Sequence, residues 1–254
     1  MLSKNQLTTA FRQAGLAKGD LILVHSSLRK LGPVEGGADT VLDALMEVIG
    51  PEGTLALPTH SFDVVTARQP VFHQILTPSS VGTLSNVFRK RAGVLRGLHP
   101  THSIAAIGPL AKKLMEGHEK EATPCSANSP YARLREWNGK VLIIGEGLEC
   151  CTLFHACEEL AGMQREGAAF GLDLFTITEN NEVRAVATHP YVINTWDQYP
   201  QLEPHLVASG ALSISSVGEC ALRLLDAKAA SDWLIPQLTK DPSIILPKPS
   251  PNTQ

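Results

Sequence analysis

Short runs of branched aliphatic residues alternate along this chain with segments whose apolar residues recur at helical spacing. The run LILVHSS (21–27) is typical of a buried parallel strand. A helix from about Ala38 to Ile49 and a second strand within GTLALPTHSF (53–62) follow it. Because a strand–helix–strand unit crosses over in the right-handed sense, we expect these two strands to be parallel.

Other segments extend this α/β pattern in both directions along the chain. An amphipathic helix is predicted from Ser3 to Ala17, and KVLIIGEG (140–147) has the clearest strand pattern of all. Residues 63–80 contain two prolines, and their apolar residues recur at neither helical nor strand spacing, which predicts a long surface loop. Further elements are expected as helices within 81–93, 110–120 and 130–137, and as a strand from Ser103 to Ile107.

After Gly162 the pattern changes to strict alternation of apolar and polar residues. LDLFTITENNEVRAVATHPYVI (172–193) alternates on both sides of an Asn-Asn turn, which favours an antiparallel hairpin. We expect helices at 199–209 and 218–237, and a frayed proline-rich tail at 246–254. Since no repeat or linker divides the chain, we interpret residues 1–254 as a single domain.

Composition and charge narrow the class of protein. The 254 residues are 43% hydrophobic, enough for a sizeable core, and the net charge of −3 argues against a nucleic-acid partner. The N-terminus lacks the features of a signal peptide, and no apolar run approaches the about 18 residues of a membrane span, so we expect a cytoplasmic protein. The five cysteines do not show the spacing of a disulfide-bonded framework, so we expect them to be free thiols.

Candidate chemistry lies on the helix predicted after KVLIIGEG. Thr152, His155 and Glu158 are spaced three apart and therefore share one face of that helix. A carboxylate beside an imidazole fixes its tautomer and favours its action as a general base, and a neighbouring hydroxyl can donate to a developing oxyanion. Because the helix follows a strand and a glycine turn, this face should lie near the carboxyl end of the sheet, where open α/β folds bind ligands.

Three other interpretations of this segment stay open on spacing alone. The three side chains can be ordinary half-exposed helix residues. Cys151, His155 and Cys157, with His99 and His102, carry atoms that bind metals, although their spacing matches no common ligand pattern. Cys151, near the start of the helix, can also be a nucleophile paired with His155.

Six blocks of the chain, in order, resemble the aminoglycoside 3-N-acetyltransferase family, the antibiotic acetyltransferases unrelated to the GNAT fold. The blocks cover most of the chain and include LILVHSSLRKLGPVEGGADTVLDAL, LALPTHSF, TPSSVGTLSNVFRK, GLHPTHSIAAIGPLA with TPCSANSPYARL, and GKVLIIGEGLECCTLFHACE. The resemblance implies a three-layer α/β/α sandwich with a mostly parallel central sheet. It also implies transfer of the acetyl group of acetyl-CoA to an amine, without a metal.

The resemblance assigns roles to individual residues. His155 corresponds to the family's base, Glu158 to the carboxylate that orients it, and Thr152 to a residue near the thioester; helical phase favours Glu158 over Glu159. Acetyl-CoA contacts are expected at Ser26, Ser27, Leu28, Gly36, Gly37, Thr101, His102 and Ser103. Contacts to a polycationic amine are expected at Thr59, His60, Glu149 and Asp197.

Two positions depart from the family pattern, since Cys151 replaces a common asparagine and Glu149 replaces an aspartate. Both lie near the expected acceptor amine, so other amines, such as amino sugars, stay open as substrates. A Cys151/His155 hydrolase and a coenzyme A-binding protein without activity are the alternative functions. A homodimer is left open because the sequence specifies no interface.

Overall fold

The computed structural model describes residues 1–163, 171–189 and 195–246 of the chain. Its strands are β1 Leu21–Ser26, β2 Thr54–Pro58, β3 Val71–His73, β4 Leu95–Arg96, β5 Ile104–Ile107, β6 Lys140–Ile144, β7 Leu172–Ile177, β8 Val183–Thr188, β9 Leu212–Val217 and β10 Cys220–Asp226. Its α-helices are α1 Lys4–Ala14, α2 Leu28–Leu31, α3 Gly37–Ile49, α4 Thr83–Phe88, α5 Ala111–Met115, α6 Pro130–Glu136, α7 Thr152–Leu160, α8 Glu203–Ala208 and α9 Ala227–Lys240. Short 3-10 helices lie at His118–Lys120, Leu148–Cys150, Trp196–Leu202 and Pro242–Ile245.

A seven-stranded sheet with the order β4-β5-β2-β1-β6-β10-β9 forms the centre of the molecule. β1 is parallel to β2, as the strand–helix–strand pattern predicted, and it is also parallel to β6. β5 and β10 are antiparallel to their neighbours on either side, so the other five strands all run in one direction. The prediction of a mostly parallel central sheet is confirmed in this sense.

Helices cover both faces of this sheet. Successive residues of β1 point to opposite faces, so Ile22 and Val24 belong to the core that contains Phe11 of α1 and Leu42 of α3. Leu21 and Leu23 belong to the opposite core, which contains residues of α5, α6, α7 and α9. The predicted three-layer α/β/α sandwich is therefore confirmed.

The alternating segment after Gly162 forms the predicted antiparallel hairpin, β7 paired with β8. This hairpin does not join the central sheet; together with β3, which is parallel to β7, it forms a separate three-stranded sheet. The loop predicted at 63–80 therefore contains a strand, Val71–His73. Residues 190–193 of the predicted hairpin segment, and the tail from 247 onward, lie outside the described residues.

The helix predicted at 218–237 is wrong in its first half. Residues 220–226 form β10, which pairs with β9 from Cys220 to Leu225, and α9 begins only at Ala227. The segment CALRLLD alternates in burial over its first five residues, as a strand does, and its Ala, Leu and Arg residues are also good helix formers. The Asp226 side chain accepts a hydrogen bond from the Ala229 amide, which fixes the start of α9.

Candidate active site

The carboxyl ends of β1 and β6 lie side by side, with Ser26 opposite Ile144. From Ile144 the chain turns at Gly145, whose φ of 74° lies in the left-handed region that favours glycine. A Cβ at this position would lie 2.8 Å from the Cβ of Lys30, so the turn also needs the missing side chain. A short 3-10 helix then leads into α7, which carries the predicted catalytic residues over the end of the sheet.

A cavity of about 870 Å³ opens at this end of the sheet. Its polar lining residues are His25, Ser26, His60, Thr66, Ser85, Thr101, His102, Glu146, Glu149, Cys150, Thr152, His155 and Thr188. Its apolar lining residues are Val24, Pro58, Phe62, Val65, Ala67, Val81, Leu172 and Trp196. A cavity that combines apolar walls with polar groups is typical of a site for a small organic ligand.

Glu158 and Tyr199 hold His155 in this wall through hydrogen bonds. Its Nδ1 lies 3.0 Å from Oε2 of Glu158 and 2.7 Å from the hydroxyl of Tyr199. The Tyr199 hydroxyl in turn donates to Oε1 of Glu158 at 2.6 Å. The Glu158 side chain is 1% exposed and that of His155 15%, so the carboxylate lies behind the ring and the ring faces the cavity.

This network determines where the proton of His155 lies. The single hydroxyl proton of Tyr199 is used in the bond to Glu158, so the oxygens of both partners can only accept at Nδ1. His155 therefore carries its proton on Nδ1, and in this tautomer Nε2 carries the lone pair. Because the Glu158 carboxylate also stabilises an imidazolium, the arrangement suits a residue that takes up a proton and later releases it.

Tyr199 is a site residue that the sequence analysis missed. It lies in the 3-10 helix Trp196–Leu202, is fully buried, and packs edge-on against Phe154 of α7 with ring centroids 5.1 Å apart. The spacing of residues on α7 carries no information on a partner 41 positions away in sequence. The available signal was its position two residues after Asp197, a predicted substrate contact, at the start of the helix predicted at 199–209.

The cavity brings together about half of the residues predicted from the sequence. Those that line it are Ser26, His60, Thr101, His102, Glu149, Thr152 and His155. Those outside its lining are Ser27, Leu28, Gly36, Gly37, Thr59, Ser103, Asp197 and Glu158. Of these, Ser27 caps α2, and Gly36 and Gly37 form the left-handed turn at the start of α3.

Thr59 and Ser103 have a structural partner, the buried guanidinium of Arg96. Arg96 Nε lies 3.2 Å from both hydroxyl oxygens, and its Nη2 donates to the Thr59 carbonyl at 2.9 Å. Both hydroxyls are therefore used inside the protein. Burial lowers the pKa of Arg96 to about 9.

Imidazole rings form one wall of the cavity and the layer behind it. His60 Nε2 lies 2.7 Å from the hydroxyl of Tyr131, which donates to the backbone carbonyl of His102. His60 must therefore donate from Nε2, so its Nδ1 is the acceptor. Burial, together with the neighbouring imidazoles, holds the pKa of His60 and His99 well below the usual value, so these rings are neutral at neutral pH.

The cysteines near α7 have the character of core residues. Cys151 is 1% exposed and belongs to the core with Leu153 and Phe154, outside the cavity lining. Burial raises the pKa of its thiol well above the usual value, which disfavours the thiolate that a nucleophile needs. Among residues 1–163, 171–189 and 195–246, no group of three or more His, Cys, Asp or Glu is placed to hold a metal ion, and no helix is long and apolar enough to cross a membrane.

Comparisons with known proteins agree on one family. The family model for aminoglycoside 3-N-acetyltransferase matches residues 23–239. Aminoglycoside N(3)-acetyltransferase III of Salmonella sp is 35% identical over 182 residues, which are 63% of this chain and 62% of that protein. Aminoglycoside N(3)-acetyltransferase VII of Streptomyces paromomycinus is 33% identical over 177 residues, with 63% and 61% covered.

Solved structures extend the match over nearly the whole fold. The binary complex of AAC-IIIb with CoASH has a TM-score of 0.81 at 26% identity and covers 98% of this chain and 99% of that one. A histidine-to-alanine mutant of AAC(3)-IVa in complex with gentamicin has a TM-score of 0.82 at 26% identity, with 97% and 92% covered. By sequence, the chain spans about 62% of the length of the curated relatives it matches. The chain belongs to the aminoglycoside 3-N-acetyltransferase family.

Proposed function

We propose that this protein transfers the acetyl group of acetyl-CoA to an amino group of an aminoglycoside, at the 3-N position that the names of its relatives state. The observation that carries the proposal is the network of His155, Glu158 and Tyr199 in the wall of the cavity. The names of the matched proteins supply the substrate class, and the geometry supplies a base suited to it.

His155 acts as the general base in this proposal. At neutral pH a primary amine is mostly ammonium and must lose a proton before it can attack a carbonyl. The Nε2 atom of His155 takes that proton, while the Glu158 carboxylate stabilises the imidazolium and Tyr199 holds both groups in place. Acetyl-CoA supplies the acetyl group on a thioester, whose thiol leaving group departs readily.

The residues around the base are compatible with a thioester and its pantetheine arm. The cavity of about 870 Å³ is within the range of sites for small organic ligands. Thr152, at the start of α7, presents its hydroxyl one helical turn from His155 and can donate to the oxygen that becomes negative. Ser26, Thr101 and His102 line the same cavity and would hold the arm.

The acceptor amine would approach the carboxylates of the cavity. Glu146 and Glu149 line it from the turn between β6 and α7, so a cationic substrate meets negative charge beside the base. The carboxylate of Glu146 also forms an ion pair with Lys30. Glu149 accepts a hydrogen bond from the Gly147 amide, which fixes its position.

Thiol release with acetyl-CoA and a panel of amines tests this proposal. We expect turnover with gentamicin, sisomicin or apramycin, and a loss of about 100-fold or more in kcat for His155→Ala, since general base catalysis contributes about 10²–10⁴-fold. His205→Ala is the matched control, because His205 is exposed on α8 and stacks on Trp233 away from the cavity.

Two further results distinguish the alternatives. Cys151→Ala should keep full turnover, because the thiol is buried outside the cavity; its inactivation would favour the cysteine hydrolase. Turnover with amino sugars and none with the antibiotics would support the proposed acetyl transfer and overturn the proposed substrate class. Full activity of His155→Ala would overturn the assignment of the base.

A further inference from the structure

His25 is a buried imidazole with an unsatisfied ring nitrogen. It is the fifth residue of β1, is 8% exposed, and its Nε2 has no hydrogen-bond partner in the described part of the chain. Five other buried polar side-chain atoms share this property, in Thr8, Ser80, Arg91, His118 and Ser215. Of the six residues only His25 lines the cavity. A buried polar group without a partner lowers the stability of the fold, so a ligand that binds His25 would explain its presence here.

The sheet places His25 on the same side as the catalytic helix. Residues 21, 23 and 25 of β1 share one face, and Leu21 and Leu23 belong to the core that contains Leu153 and Phe154 of α7. His25 continues this row at the carboxyl end of the strand, opposite Ile143 of β6. It therefore borders the same cavity as Thr152 and His155.

The surroundings of His25 select an uncharged ligand group. Burial lowers the pKa of His25 to about 4, so the ring is neutral near pH 7 and carries one N–H donor. Pro58, which lines the cavity from β2, is apolar, and the neutral His25 ring gives no counter-charge to an ammonium or phosphate that loses its hydration there. A carbonyl oxygen accepts a hydrogen bond without that penalty.

We propose that His25 binds acetyl-CoA by donating a hydrogen bond from its imidazole to a carbonyl oxygen of the acylated pantetheine arm. The inference rests on the proposed function, since that function brings such an arm into the cavity. The arm carries two kinds of carbonyl oxygen, those of its amides and that of the thioester. An amide contact would hold the coenzyme before and after transfer, whereas a thioester contact would act only while the acetyl group is attached.

Calorimetry with coenzyme A and acetyl-CoA separates these two cases in His25→Leu. A lost hydrogen bond of ordinary strength weakens binding about tenfold. If the acceptor is an amide, both ligands should bind about tenfold more weakly. If the acceptor is the thioester, the Kd of coenzyme A should stay unchanged, while that of acetyl-CoA, or kcat, should worsen. His25→Gln, which keeps an N–H donor, should recover part of the loss in either case.

The matched control is Thr8→Val. Thr8 also has a buried hydroxyl without a partner, but it lies on α1 outside the cavity lining, so Thr8→Val should bind both ligands like the wild type. Both His25→Leu and Thr8→Val remove an unsatisfied polar atom and should melt at or above the wild-type temperature. Equal affinities and kcat for His25→Leu and the wild type would show a structural role and overturn the inference alone.

A measurement on the wild-type protein makes the test independent of how the variants fold. The imidazole ¹⁵N resonances of His25, assigned by their absence in His25→Leu or in a milder His25→Gln, should shift when coenzyme A or acetyl-CoA is added. No shift with either ligand, in a protein that binds them, would overturn the inference. A wild type that neither binds coenzyme A nor releases thiol would overturn the proposed function as well.

Discussion

At the scale of single residues, the Tyr199 hydroxyl can be removed by one substitution that keeps the ring. This hydroxyl donates to Glu158 and accepts from His155, and Tyr199 itself does not line the cavity. We therefore treat it as a positioning residue. Tyr199→Phe should lower kcat about 10- to 100-fold, the range expected for one hydrogen bond to a charged group, and leave KM for both substrates nearly unchanged.

A double-mutant cycle tests whether Tyr199 acts through Glu158. Glu158→Gln removes the charge that Tyr199 orients, so adding Tyr199→Phe to it should cost less than Tyr199→Phe costs alone. Thr8→Val, on the distant helix α1, supplies the control pair and should combine additively with Glu158→Gln. Additive losses for Tyr199 and Glu158 would mean that the two side chains act independently.

Only part of this network could be predicted from the sequence. His155 and Glu158 lie three residues apart, and helical geometry alone brings such pairs together. Tyr199 reaches them through the packing of the 3-10 helix Trp196–Leu202 against α7, and its ring contact with Phe154 depends on that packing. Ser27, Gly36 and Gly37 lie outside the cavity lining, where Ser27 caps α2 and the two glycines form the turn before α3, so their contacts with acetyl-CoA stay predictions.

At the scale of elements, Arg96 connects the central sheet to the small sheet. It lies in β4, and its Nη1 donates to the backbone carbonyls of Gln74 and Thr77, which follow β3. The guanidinium also lies over the ring of Phe72 in β3, 4.7 Å from its centroid. One buried side chain thus satisfies carbonyl groups of the segment that links the two sheets.

Replacing this guanidinium should destabilise the protein. In Arg96→Met the partly buried carbonyls of Gln74 and Thr77 lose a donor, whereas the Thr59 carbonyl keeps the one from Ser103; a buried unsatisfied group costs about 1–3 kcal/mol. We expect the free energy of unfolding, measured in urea, to fall by about 2 kcal/mol or more, and the value for Arg96→Lys to lie between those of Arg96→Met and the wild type. Arg12→Met, whose guanidinium is exposed, should change it by less than about 1 kcal/mol.

The elements that sequence patterns missed are those whose identity depends on distant partners. β3 has only three residues and pairs with β7, about one hundred positions later, so the proline-rich segment 63–80 gave no local sign of it. β10 contains residues that favour a helix, and its pairing with β6 and β9 determines that it is a strand. By contrast, β1, β6 and α3 bury enough apolar residues at a clear period to be predicted directly.

At the scale of the whole molecule, the buried histidines join the site to the stability of the fold. His25, His60, His99 and His118 are four of the nine histidines of the chain, and all four are less than 10% exposed. Burial is the largest cause that lowers the pKa of each, to about 4 for His25 and His118. His99 and His118 pack against each other, with ring centroids 4.5 Å apart, and His118 further lowers the pKa of His99.

These shifts predict that the protein loses stability in mild acid. The folded-state pKa values are lowered, so below about pH 6.5 the unfolded chain binds protons that the folded protein does not. Each such histidine costs about 1.4 kcal/mol per pH unit from about 6.5 down to its folded pKa of about 4. The free energy of unfolding in urea should therefore fall steeply from pH 7 to pH 5. His118→Gln keeps a donor for the Pro124 carbonyl. It should reduce the slope of the unfolding free energy against pH by up to about 1.4 kcal/mol per pH unit, which corresponds to one proton. His205→Gln, at an exposed position, should leave it unchanged. A stability that stays level across this range would mean that the four rings take up protons in the folded protein, against the burial that the structure shows.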